Sequence, residues 1–232
     1  MDIDTTLRNY PLNCESAEQI VRQIADVEID DKISFVIKKT EEIMEDSEYQ
    51  GVRLSLDAYL DKTRIPLKID ISTGDVITPC EISFSYQLMF ENRTIPLLAY
   101  PPETVLAEKL ETILSRGEAN TRLRDFYDVY ILQREDFVVT PDALRYALLA
   151  TCRKRGHEDL LHTYASILNE VRQSGAMRAQ WMKYQTDFDY AAGITWDTVV
   201  GTVETLCMKT LDDHAFGDEL PQEESQFEMH LL

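Results

Sequence analysis

The hydrophobic period of this chain changes once, at Pro101-Pro102, and no other feature constrains the fold as much. Before that point, short alternating or continuous apolar runs at 33–39, 52–59, 64–72, 81–86 and 95–100 predict strands separated by polar connections. Gly74-Asp75 marks a turn. One helix interrupts the strands: Ser16 is a suitable N-cap for residues 17–26, which carry Ile20, Val21 and Ile24 on one face. Beyond Pro101 the apolar residues recur at helical spacing. Pro102 suits a first helical turn, Val105, Leu106, Leu110, Ile113 and Leu114 follow, and Gly117 ends the helix beside a basic last turn. Further helices are predicted at 123–132, at about 141–155 behind a Thr140-Pro141 start, and at 160–172, 177–184 and 196–211. The fold class is α+β. A sheet domain spans 1–100 and a helical domain 101–215; the acidic tail, 216–232, has too few large apolar residues to pack.

Composition narrows the function classes. At 232 residues, 44% hydrophobic and 28% charged, the chain is long enough for a real core and is not of disordered type. No run of about eighteen apolar residues is present, so no membrane span is expected. Nor does a basic then apolar leader open the chain, so a cytoplasmic location is expected. Cys14, Cys80, Cys152 and Cys207 are scattered with no C-x-x-C pair, which argues against zinc and against a disulfide framework. A net charge of −19 disfavours non-specific binding to nucleic acid. Positive charge is nevertheless clustered locally, at Arg116, Arg122 and Arg124 and again at Arg153, Lys154 and Arg155. His157 and His162, near a helix start, are expected at the surface. Trp181, Trp196, Tyr184, Phe188 and Tyr190 are expected in the helical core, with Tyr127 the aromatic to consider for stacking on a base.

Four groups of residues carry chemistry. Asp2 and Asp4 flank Ile3, so on a strand both carboxylates face the same way, as a site for Mg²⁺ on nucleotide phosphates requires. A solvated strand end is the ordinary alternative. Asp70 keeps its charge inside the apolar run Ile65-Pro66-Leu67-Lys68-Ile69-Asp70-Ile71; unpaired burial would be costly, and a salt bridge to Lys68 or Arg64 is the structural alternative. Lys109 interrupts an apolar helix and either serves a site or snorkels to solvent. Asp125 and Asp128 share a helix face, where pairing with Arg122 or Arg124 competes with a functional role.

Together, Asp2-Ile3-Asp4-Thr5-Thr6-Leu7, Leu67-Lys68-Ile69-Asp70-Ile71, Ala107-Glu108-Lys109-Leu110-Glu111 and Arg124-Asp125-Phe126-Tyr127-Asp128 resemble the AbiEii/AbiGii toxin family. These are nucleotidyltransferase-fold proteins encoded as toxins of toxin–antitoxin or abortive-infection pairs, and the resemblance extends to about Trp196. It implies a nucleotidyltransferase-like mixed sheet followed by a helical bundle. It also implies Asp2, Asp4 and Asp70 as ligands of Mg²⁺ or Mn²⁺, and Lys109 as a contact to the phosphates of an NTP. Arg124 would join Lys109 or pair with Asp128, and Asp125 would orient or activate the attacking group. The acceptor implied is an RNA, by analogy a tRNA 3′ end, or a protein hydroxyl, and the partner implied is a cognate antitoxin. Family members carry a Gly-Gly or Gly-Ser turn about a dozen residues before the D-x-D pair, where backbone amides approach the triphosphate. Here Met1 precedes Asp2 and the first glycine is Gly51, so the turn is expected to be missing, through a late start or a truncation. The alternative function is then a catalytically inactive remnant or binding module that engages an antitoxin. Completion of the site by a second copy is a further route, and the oligomeric state stays open.

Overall fold

The computed structural model describes residues 2–8, 10–29, 31–44, 50–74, 76–134 and 139–212, and the chain divides into two compact units, Met1–Asp75 and Val76–Leu232. In the first unit the order is β1 (Asp2–Leu7), α1 (Cys14–Ala25), β2 (Ile33–Met44), β3 (Gln50–Leu60) and β4 (Thr63–Thr73). The four strands form one sheet in the order β1-β4-β3-β2. β2, β3 and β4 are an antiparallel meander, whereas β1 runs parallel to β4 with Asp4 opposite Asp70.

Register decides which residues share a face. One face carries Leu7, Leu67, Ile69, Ile71, Val52, Leu54, Leu56 and Ile37, and α1 packs Ala17 and Val21 against it. The opposite face is polar: Asp4, Thr6, Lys68, Asp70, Ser72, Arg53, Ser55 and Asp57 project from three adjacent strands. α1 starts three residues earlier than residue 17, because Asn13 and not Ser16 is the N-cap. Ser16 stands at the third helical position instead. Its backbone N–H donates to Asn13 Oδ1 at 2.8 Å and its hydroxyl accepts from Asn13 N at 3.0 Å, a reciprocal capping box. Twelve helical residues reach only about 18 Å, half the span of the strands below them. Ile33, Phe35, Leu60 and Ile65, beyond that reach on the same apolar face, are therefore 39–50% exposed. β2 also runs longer than the predicted 33–39, through Glu41-Glu42 to Met44, with a register shift between Ile37 and Lys39.

The second unit opens with a separate antiparallel hairpin, β5 (Ile82–Gln87) with β6 (Thr94–Ala99). The sequence reading groups these strands with the first sheet; the contacts assign them to the unit that holds the helices. One tie is visible just before the hairpin, where Thr104 Oγ1 accepts from Thr78 N at 2.9 Å and donates to Thr78 O at 3.0 Å. Among the described residues six helices follow: α2 (Pro102–Arg116), α3 (Leu123–Leu132), α4 (Pro141–Lys154), α5 (Leu160–Gln173), α6 (Gly175–Asp187) and α7 (Trp196–Leu211). All six bury residues in one core, among them Leu106, Leu110, Phe126, Leu144, Leu148, Leu168, Trp181, Trp196 and Val203. Gly117 closes α2 with φ of +50°, a conformation that favours glycine. The predicted tail, 216–232, lies outside the described residues. No described helix is long and apolar enough to cross a membrane.

Candidate active site

The residues predicted to carry chemistry fall into two sets, one in each unit. In the first unit, the strand register puts Arg53, Asp70 and Asp4 in a row across β3, β4 and β1, all on the polar face. Asp2, two residues before Asp4 on the same strand, is registered with Lys68. Asp70 accepts a bidentate ion pair from Arg53, with Nε to Oδ1 at 2.7 Å and Nη2 to Oδ2 at 2.5 Å. The partner is thus neither Lys68 nor Arg64. Lys68 stands on the same strand as Asp70, whereas Arg53 is directly opposite it in the antiparallel pair, where side chains meet. Arg64 instead holds Asp57, at 2.9 Å, and Asp57 is itself buried, 2% exposed.

The chemistry of this row suits a hard divalent cation. Carboxylate oxygens are the ligands such ions take. Asp4 and Asp70 supply two carboxylates side by side, and Asp2 has the register to add a third. Among the described residues no group of three acidic, His or Cys side chains is already gathered as a cage.

In the second unit α2 and α3 bring Lys109 against Asp125 and Asp128. The ammonium lies 3.2 Å from Asp125 Oδ1 and 2.6 Å from Asp128 Oδ2, and the lysine side chain is only 22% exposed. Lys109 therefore does not snorkel; it is held between two carboxylates. Arg122 approaches Asp125 Oδ2 to 3.6 Å and Arg124 approaches Asp128 Oδ2 to 3.8 Å, Coulomb contacts too long for hydrogen bonds. Buried Asp125 Oδ2 accordingly has no hydrogen-bond partner. Three cations thus surround two carboxylates, a local positive excess in a chain of charge −19.

Beside this cluster, the ring of Tyr127 lies 4.7 Å from that of Tyr190, whose hydroxyl is 2.8 Å from that of Tyr184. Burial, then the hydrogen bond shared with Tyr190 and the nearby Asp128 charge, keep the Tyr184 phenol protonated well beyond its ordinary range. Trp181 and Trp196 are core as expected, but Phe188 and Tyr190 are 42% and 50% exposed. They follow α6, on a short 3₁₀ turn that carries them past its packed face. His157 and His162 are exposed, as expected, and His157 also carries a contact. Its Nδ1 is 2.7 Å from buried Glu111, whose other oxygen pairs with Arg155. Arg153 pairs with Glu158 at 2.9 Å, so the second basic cluster is spent largely on internal pairs.

Arg53 is the residue that sequence reasoning missed. Its position in Val52-Arg53-Leu54, on a strand with alternating burial, marks an outward-facing cation; only the register shows which acid it meets.

A comparison with curated protein sequences gives no match. A crystal structure from H. pylori, provisionally described as a nucleotidyltransferase, is similar at 12% identity and a TM-score of 0.45, covering 91% of this chain and 78% of that one. That likeness is too remote to bear on chemistry. Residues 1–202 match a family model described as the nucleotidyl transferase AbiEii toxin of a type IV toxin–antitoxin system. With most of its length so matched, this chain belongs to the AbiEii nucleotidyl transferase toxin family.

Proposed function

We propose that this chain transfers a nucleotidyl group from an NTP to an RNA or protein acceptor, as a toxin with a cognate antitoxin. The observation that carries the reading is the register of β1 against β4, which sets Asp4 beside Asp70 on a polar sheet face. Asp2, Asp4 and Asp70 would hold Mg²⁺ or Mn²⁺. When bound, the metal neutralises phosphate charge and helps align an in-line displacement. Lys109 contacts phosphate as a compact charge: its ammonium has three donors, and the two carboxylates leave one for an anion. Arg124, its side chain 77% exposed, is placed to add a second phosphate contact. Asp125, buried behind Lys109, is better suited to holding the ammonium in place than to touching the acceptor.

The competing reading, a binding module without catalysis, draws support from the same pairs: Asp70 and Lys109 are each already engaged by an internal counter-ion. A label-transfer assay separates the two. The chain is incubated with each α-labelled NTP, Mg²⁺ or Mn²⁺ and total RNA, beside Asp70→Asn. Label entering RNA or protein with the parent chain and not with the variant supports transfer. Equal labelling by both sinks the role of Asp70, and no labelling by either favours the binding module.

A further inference from the structure

Arg53 lies one strand away from the carboxylate pair, and its two hydrogen bonds occupy both oxygens of Asp70. Without a metal this arrangement has a clear electrostatic reason. Asp4 and Asp70 stand opposite each other in register, and like charges so placed repel. The guanidinium on the other flank of Asp70 offsets that repulsion. A divalent cation at the same carboxylates would do so more strongly, and it would then face Arg53 as a like charge. Both cannot hold Asp70 on equal terms.

We infer that Arg53 is a positioning residue that competes with the divalent cation for the Asp70 carboxylate and, once displaced, offers its fork to the anionic phosphates of the nucleotide. The inference rests on the assignment of Asp70 as a metal ligand. The geometry favours such an exchange. Arg53 is anchored at Cα by pairing on both sides of β3, while its side chain is 37% exposed and Asp70 is 22% exposed. Release therefore needs only side-chain rotation, with no change in the sheet. A guanidinium is also the group whose planar donors match carboxylate and phosphate equally well, which an ammonium does not. The metal-free protein thus keeps a nucleotide contact parked on a metal ligand. Loading of the metal makes that contact available, so metal and nucleotide should favour each other's binding.

The test is Mn²⁺ binding to the full chain without nucleotide, followed by the electron paramagnetic resonance signal of free Mn²⁺. Removing the competing cation in Arg53→Gln should tighten Mn²⁺ binding roughly tenfold, since a like charge at this range perturbs a charged site by at least that factor. Arg53→Lys, which keeps the charge but loses the fork, should fall between Arg53→Gln and the parent and guards against a folding defect. Asp70→Asn should weaken binding, and adding Arg53→Gln to it should bring no further gain. ATP binding in the presence of Mg²⁺ should weaken in Arg53→Gln. An Arg53→Gln chain with unchanged or weaker Mn²⁺ affinity, while Asp70→Asn still weakens it, overturns the competition alone. Unchanged affinity in Asp70→Asn removes Asp70 from the ligand set, and the proposed site falls with it.

Discussion

The helical unit gathers buried side chains from six helices into one core, whereas the sheet unit rests on Ala17 and Val21 of a single helix against Val52, Leu54, Leu56 and Ile71. The chemistry is also built differently. The sheet unit sets its acids in a row by strand pairing, and the helical unit holds its lysine between acids of a neighbouring helix. A thin core suffices where a site needs only strand register, because backbone pairing alone sets Asp4 beside Asp70. A lysine held between two acids on another helix needs the packing that fixes the helices first. Both tryptophans, Trp181 and Trp196, lie in the helical unit, so their fluorescence reports on that unit alone and offers a direct way to test the contrast.

The largest effect is expected from Phe126→Ala, which empties a fully buried ring site in contact with Trp196 at 5.0 Å. It should lower stability by about 3–5 kcal/mol and shift the tryptophan-detected unfolding midpoint. A small loss there would mean that the helical core is no tighter than the sheet's. Next, Lys109→Met leaves the carboxylates of Asp125 and Asp128 facing each other in a half-buried place. A loss of about 2–3 kcal/mol follows, reduced from the value for a fully buried pair by partial exposure. A gain in thermal stability instead would show that the cluster is held under strain for function. Asn13→Ala removes the cap of the one helix that covers the sheet and should cost about 1 kcal/mol. Seen by far-ultraviolet circular dichroism and not by tryptophan fluorescence, that loss would confirm separate units; coincident transitions would break the comparison.

Near neutral pH the smallest effect is a pH dependence of the helical unit, which grows only above pH 9. Burial pushes the thiols of Cys152 and Cys207 from an ordinary 9.0 up to about 12. Folded thiols hold their protons more tightly than unfolded ones, so their contribution is fully present below pH 9 and is lost as pH rises towards 12. The tryptophan-detected midpoint should fall across that window, and Cys152→Ala should flatten the fall. In the native chain a thiol reagent should modify exposed Cys80 first and reach Cys152 and Cys207 only on unfolding.

Periodicity made the helices legible, and α3 and α7 run over 123–132 and 196–211 as their apolar spacing predicts. It was a poorer guide at β2, where Glu41-Glu42, beyond the predicted end at Lys39, continue an edge strand that can solvate them on its open side. The helix start at Cys14 was hidden because two capping residues, Asn13 and Ser16, stand three apart and satisfy each other. In the candidate site, spacing along one element was readable: Asp2 with Asp4, and Asp125 with Asp128. Pairings between elements were not. Arg53 with Asp70, Lys109 with Asp125 and Glu111 with His157 are separated by 17, 16 and 46 residues, and only folding brings them together.

The placement of β1 carries a consequence for the order in which the protein is made. Among the described residues its sheet partner is β4, some 66 residues later in the chain. The β2–β3 and β3–β4 pairings close through short connections and can form as the chain emerges. β1 must wait until Thr73 has left the ribosome, and it is then added to an edge that the meander has already built. Asp2 and Asp4 thus reach Asp70 in one of the last steps of the first unit's assembly. A nascent or prematurely ended chain carries its leading acids without the neighbour that gives them meaning.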